Sequence, residues 1–162
     1  MSRAFFIMVV LLGCVRSTPP ETEPTAPALR GLDFDADLDR VERSPLRLEA
    51  VVTITNRRST PVTLTFPIAC LGLIRAYEGG SSAPVWEQLS GEGCPRQPLP
   101  LALEPDDERE IRIREMSAGE VLGQNLPEGT YRFTVLLEPD GHVLEIEAGE
   151  AELERPLGRG DR

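Results

Sequence analysis

The strongest constraint on this chain is an alternation. Residues 32–39 read LDFDADLD, which puts Leu32, Phe34, Ala36 and Leu38 on one side of an extended backbone and Asp33, Asp35, Asp37 and Asp39 on the other. A helix would scatter those four aspartates around its axis. A strand collects them on one wet face and buries the other, because successive side chains point to opposite sides of a pleat. The same period returns in LRLEAVVTIT, with Leu46, Leu48, Ala50, Val52 and Ile54 inward, and in VTLTF, with Val62, Leu64 and Phe66 inward.

Shorter runs follow in LIRAYE and PVWEQL, then Leu101 and Leu103, then Ile111 and Ile113. GTYRFTVLLE carries Tyr131, Phe133, Val135 and Leu137, and VLEIEA closes the set. Turn chemistry separates them: Asn56-Arg57-Arg58-Ser59, Gly79-Gly80 and Pro139-Asp140-Gly141-His142. Residues 106–123 contain good helix formers, but Ile111 and Ile113 are two apart and share a strand face rather than a helix face. The expectation is an all-β chain folded as an antiparallel β-sandwich of seven to eight strands.

Charge and motif content bound the function. The chain has 162 residues and a formal net charge of −10, and every one of its basic residues is arginine. An acidic surface repels phosphate backbones, so no nucleic-acid partner is expected. The aspartates of residues 33–39 imitate the start of a calcium loop. That loop needs Gly at its sixth position and Glu at its twelfth, where this chain has Leu38 and Ser44. There is one histidine, His142, expected to be exposed in its turn. No nucleophile elbow, zinc-protease motif or phosphate-cradling glycine loop occurs. The reading is therefore non-catalytic, with no metal and no cofactor.

The N-terminal residues differ from the rest. Arg3 precedes an apolar run from Phe5 to Leu12, far short of the roughly 20 residues a membrane-spanning helix needs. The run ends at Leu11-Leu12-Gly13-Cys14, which resembles the lipobox of bacterial lipoproteins. That resemblance implies cleavage before Cys14, a diacylglyceryl thioether on its sulfur and usually a third acyl chain on the new amine. Two or more chains moor a protein stably where one does not. The same resemblance bears on sorting. Val15 stands where an aspartate would retain a lipoprotein in the inner membrane, which in a two-membrane bacterium favours the periplasmic face of the outer membrane. Residues 15–30, VRSTPPETEPTAPALR, are proline-rich and polar and read as an extended tether of about 50 Å at ~3.1 Å per residue. Cys70 and Cys94 remain as an even pair in an exported chain and read as a disulfide, for which loop-closure arithmetic gives about 3–4 kcal/mol.

Within the body, four segments in order are similar to the BsuPI-type domain, named for a bacterial intracellular proteinase inhibitor. They are Asn56 with Pro61-Val62-Thr63-Leu64-Thr65-Phe66, then Val85-Trp86, then Leu103-Glu104-Pro105, and last Gly129-Thr130-Tyr131. The likeness covers about residues 46–138 and implies an immunoglobulin-like sandwich with a buried tryptophan. Pro67-Ile68-Ala69-Cys70 stands where that family often has a Ser-Gly-Gln run, and no inhibitory residue carries over. The organisation expected is a signal peptide (1–13), a lipidated cysteine and tether (14–30), the sandwich (31–154) and a tail (155–162). The function expected is a protein-binding module anchored in the bacterial cell envelope through acylated Cys14, with a protein partner of unknown identity. A proteinase inhibitor presenting the 78–84 loop or the Cys94-Pro95 region, and an envelope-structural lipoprotein, are the alternatives.

Overall fold

A computed structural model describes residues 26–43, 46–67, 71–88 and 97–155. Cys14, Cys70 and Cys94, and with them the lipobox and the expected disulfide, lie outside the described residues. Two antiparallel sheets enclose one apolar core. The first takes β1 (Leu32–Arg43), β2 (Leu46–Asn56) and β7 (Glu108–Arg112) in that order, and β8 (Met116–Ser117) pairs with the start of β2. The second runs β10 (Leu144–Leu153), β9 (Gly129–Leu137), β4 (Gly72–Glu78) and β5 (Trp86–Glu87). A separate ladder joins β3 (Val62–Phe66) to β6 (Leu99–Leu103). The antiparallel sandwich is as expected, but the described residues hold ten strands rather than seven or eight. β8, a piece of two residues too short to carry a periodic signal, has no counterpart in the sequence reading, and the run expected at PVWEQL is reduced to the two residues of β5.

The alternation places the core. Leu32 and Ala36 of β1, Leu48, Ala50, Val52 and Ile54 of β2, Ile74 and Ala76 of β4, and Tyr131, Phe133, Val135 and Leu137 of β9 are all buried. The four aspartates of β1 are exposed, as a half-buried strand requires. Gly72 is closely covered: a Cβ there would stand 2.8 Å from Leu137 Cδ2 of the paired strand and 3.0 Å from Ile113 Cδ1. Trp86 packs against the core but is only half-buried, on a two-residue edge strand.

Residues 106–123 combine both of the conformations their composition allows. β7 carries Ile111 inward, and a helix, α1 (Ala118–Leu122), follows β8. Ser117 starts that helix by accepting the Glu120 amide at 3.1 Å through its hydroxyl. Beyond it, Tyr131 donates its hydroxyl to the Pro127 carbonyl at 2.7 Å. That bond ties the start of β9 back across its corner to the segment that leads into it.

Both ends of the body are tied down. Leu29, in a short 3-10 turn (Pro27–Leu29), is fully buried, so the packed body begins upstream of residue 31. The Arg58 guanidinium donates to the Arg30 carbonyl at 2.8 Å and to that of Ala28. At the other end the Arg155 guanidinium reaches the carbonyls of Gly123 at 2.7 Å and Leu126 at 2.6 Å.

A fully buried polar residue lies at one end of the first sheet. Asn56 ends β2 with no exposed surface. Its Nδ2 lies 3.1 Å from the Thr60 carbonyl, 3.1 Å from that of Leu103 and 3.0 Å from that of Glu104. Its Oδ1 accepts the Arg58 amide at 3.0 Å. Its own N–H donates to Asp107 at 2.9 Å and its carbonyl accepts from Asp106 at 2.8 Å. Asn56 thus joins the end of β2, the start of β3 and the β6–β7 turn with every polar atom satisfied, which is the condition for burying an amide without penalty.

Candidate functional site

The outer face of the second sheet carries the densest side-chain chemistry. Its residues arrive there by register. Tyr77 lies opposite Arg132, Arg75 between Thr134 and Glu87, and Leu73 beside Leu136, which in turn faces Glu145. Along β10 the outward residues are Glu145 and Glu147, then Glu150 and Glu152. The step of three between them is a β-bulge, where Ala148 is the extra residue and Gly149 adopts φ +114°. The bulge restores the phase of the strand, so that Ala151 and Leu153 return to the core.

Glu145 is the centre of the network. Its carboxylate accepts from the Tyr77 hydroxyl, from Thr134 Oγ1 at 2.8 Å and from Arg75 Nη1 at 3.3 Å. Arg75 turns its Nε to Glu87 at 2.6 Å. The Arg132 guanidinium pairs with Glu147 and lies 4.2 Å from the centroid of the Tyr77 ring, a cation–π stack.

The electrostatics follow from these contacts. Partial burial alone would raise the Glu145 pKa. The hydrogen bonds from Tyr77 and Thr134 and the charge of Arg75 outweigh it and hold the group below the ordinary carboxylate value. Burial first, and then its bond to a carboxylate, push the Tyr77 hydroxyl upward. Near neutral pH Tyr77 is therefore a fixed donor and Glu145 a fixed acceptor. The array holds its donors and acceptors in set directions on an accessible face, which suits recognition.

At the Leu144 end of the same face an apolar notch of about 70 Å³ opens between Phe66, Pro67, Leu71, Leu73, Leu136 and Val143, with Glu138 at its rim. Val143 is 66% exposed, the most exposed of the large apolar residues described.

Other expected features fall elsewhere. His142 is half-buried rather than exposed, its amide held by the Pro139 carbonyl at 2.9 Å. Asp140 in the same turn has φ +51° and accepts the Thr65 amide of β3 at 2.8 Å, which covers part of that strand's edge. The 78–84 loop is braced by Ser81, whose amide donates to Glu78 at 3.1 Å and whose hydroxyl donates to the Ala83 carbonyl at 2.9 Å. Among the described residues, no three His, Cys, Asp or Glu side chains converge as metal ligands would, and no helix is long and apolar enough to cross a membrane. Sequence reasoning placed no role on Tyr77, Arg75, Arg132 or Glu145. The visible signal was the 2-3-2 spacing of glutamates in EIEAGEAE, which marks a bulge between two outward pairs.

No family model and no curated protein matches the sequence. Solved structures with similarity include a β-glucosidase from Kluyveromyces marxianus, at 15% identity and TM-score 0.42 over 76% of this chain and 14% of that one. A β-glucosidase from Listeria innocua in complex with glucose is 17% identical, with TM-score 0.36 over 73% of this chain and 16% of that one. One from Erythrobacter marinus is 11% identical, with TM-score 0.36 over 73% and 15%. The chain spans only a small part of the length of those enzymes.

Proposed function

We propose that this chain is a non-catalytic protein-binding module of a bacterial envelope, moored by acylated Cys14 and held off the bilayer by its proline-rich segment. The observation that carries the binding reading is the Tyr77–Glu145–Arg75–Arg132 array. Tyrosine and arginine are the side chains most enriched where proteins bind one another, and here each is held in one orientation by a partner on its own sheet. The anchoring half of the reading rests on Leu11-Leu12-Gly13-Cys14 and on the composition of residues 15–25.

The test uses the full chain expressed in a bacterial host. Intact mass of the product is expected to show a polypeptide beginning at an acylated Cys14, sensitive to globomycin. Cys14→Ser is expected to leave the membrane fraction. A photo-crosslinking residue in place of Thr130 is expected to capture a discrete protein. A precursor that stays uncleaved and water-soluble defeats the anchor, and the absence of any captured protein defeats the binding module.

A second reading, proteinase inhibition, draws on the BsuPI-type resemblance and on the bracing of the 78–84 loop by Ser81. A stiff exposed loop is what a protease cleft accepts. Assays of the purified chain against serine and cysteine proteases decide it, and no inhibition in either class removes it.

A further inference from the structure

Two features of the second sheet bear on what a partner must look like. The first is how charge is distributed. Arg75 is engaged by Glu87 and Glu145, and Arg132 by Glu147. Glu150 and Glu152 form no ion pair among the described residues. An anionic ligand would find both guanidiniums occupied and meet a surplus of carboxylates. A cationic one meets that surplus, with Glu150 and Glu152 of β10 holding no ion pair among the described residues. The second feature is the notch at the Leu144 end of that strand, with room for one aliphatic side chain and Val143 standing at its edge.

We propose that the outer face of β10, β9 and β4 docks an extended, basic protein segment. An aliphatic side chain of that segment sits in the notch between Pro67, Leu73, Leu136 and Val143. Its arginine or lysine side chains pair with Glu150 and Glu152, the carboxylates of β10 that Arg75 and Arg132 leave unengaged. The proposal rests on the binding-module reading and names the partner's chemistry. An extended segment fits because these carboxylates lie along a strand: outward positions repeat every second residue, which is the repeat of an extended peptide. The apolar anchor supplies hold, and the carboxylates supply steering and register.

The probe is a fluorescent peptide of alternating threonine and arginine with one leucine near its amino end, titrated into the purified full chain at low ionic strength. E150R/E152R changes two exposed carboxylates that hold nothing in place, and is expected to weaken binding about tenfold. D35R/D37R makes the same change in net charge on the other sheet and is expected to leave binding within about twofold. Replacing the peptide's leucine with serine is expected to weaken binding to the unmodified chain, and to cost less against V143S. Equal losses from the two charge-reversal pairs would reduce the effect to overall charge and overturn the proposal. So would indifference to the leucine, or equal binding of a glutamate-for-arginine peptide. In cells, a partner captured by the unmodified chain and equally by E150R/E152R sinks the docking face while the binding module stands. Capture by neither sinks the binding module itself.

Discussion

The outer faces of the two sheets are built from the same kind of sequence and come out differently. On β1 the aspartates stand exposed, and the ion pairs of that sheet include Arg57 with Asp33, whose side chains are 59% and 58% exposed, and Arg112 with Glu49. This first sheet concentrates its buried polarity at one end, in Asn56. On the second sheet the polar residues interlock across three strands around Glu145, with Arg75 only 25% exposed and Tyr77 almost covered. Alternating acids thus make a solvated wall where they stand apart or meet a single exposed arginine. They make a rigid array where an aromatic ring and two arginines share the face. Partnership decides between them: Glu145 takes three donors from two neighbouring strands, whereas Glu49 takes one guanidinium.

The largest effect expected is at Asn56. Asn56→Asp would remove both donors from three carbonyls and aim a buried carboxylate at them. We expect a loss of at least about 3 kcal/mol, or failure to fold, read from urea denaturation. A wild-type midpoint would mean the amide is not the junction described here.

Next is the Glu145 array. Tyr77→Phe and Glu145→Gln, singly and together, are expected to give a coupling of about 1 kcal/mol, reduced from that of a fully buried charged bond by the partial exposure of Glu145. Additive losses would show two independent residues and weaken the contrast between the faces.

The acid limb of stability sharpens it further. Glu145 has its folded-state pKa lowered, so its contribution is present in full above the unfolded carboxylate value of about 4.3 and is lost as pH falls through the folded one. Glu145→Gln is expected to flatten the stability–pH curve in that acidic window. An unchanged slope would assign it to other carboxylates.

Smallest is the pair on the first sheet. Arg57→Ala is expected to leave the denaturation midpoint unchanged within error at moderate salt, since its pair with Asp33 is exposed on both sides and screened. A clear shift there would erase the distinction between the two faces.

What was legible in the sequence follows from local rules. The period of two in residues 32–39 and 46–54, and the turns at Asn56-Arg57 and Pro139-Asp140-Gly141, state strands, turns and inward faces without reference to anything distant. The glutamate spacing of EIEAGEAE even contains the β10 bulge. Half of residues 106–123 was legible as well, through Ile111 and Ile113. The helix after them was not, because Ala118–Leu122 is short and is started by a Ser117 hydroxyl bond that only a folded corner positions.

Partnership across the fold was the part the linear chain left open. Nothing local distinguishes Glu145, which gathers Tyr77, Thr134 and Arg75 from strands far away in sequence, from Glu152, which gathers nothing. Nothing local makes Asn56 a buried junction rather than an exposed turn residue. Side-chain periodicity is a property of the backbone under each residue, so sequence alone determined that this chain pleats and which side turns inward. Register between strands depends on packing and turn geometry summed over the whole core, so only the tertiary structure decided which of many similar acids became part of a fixed array.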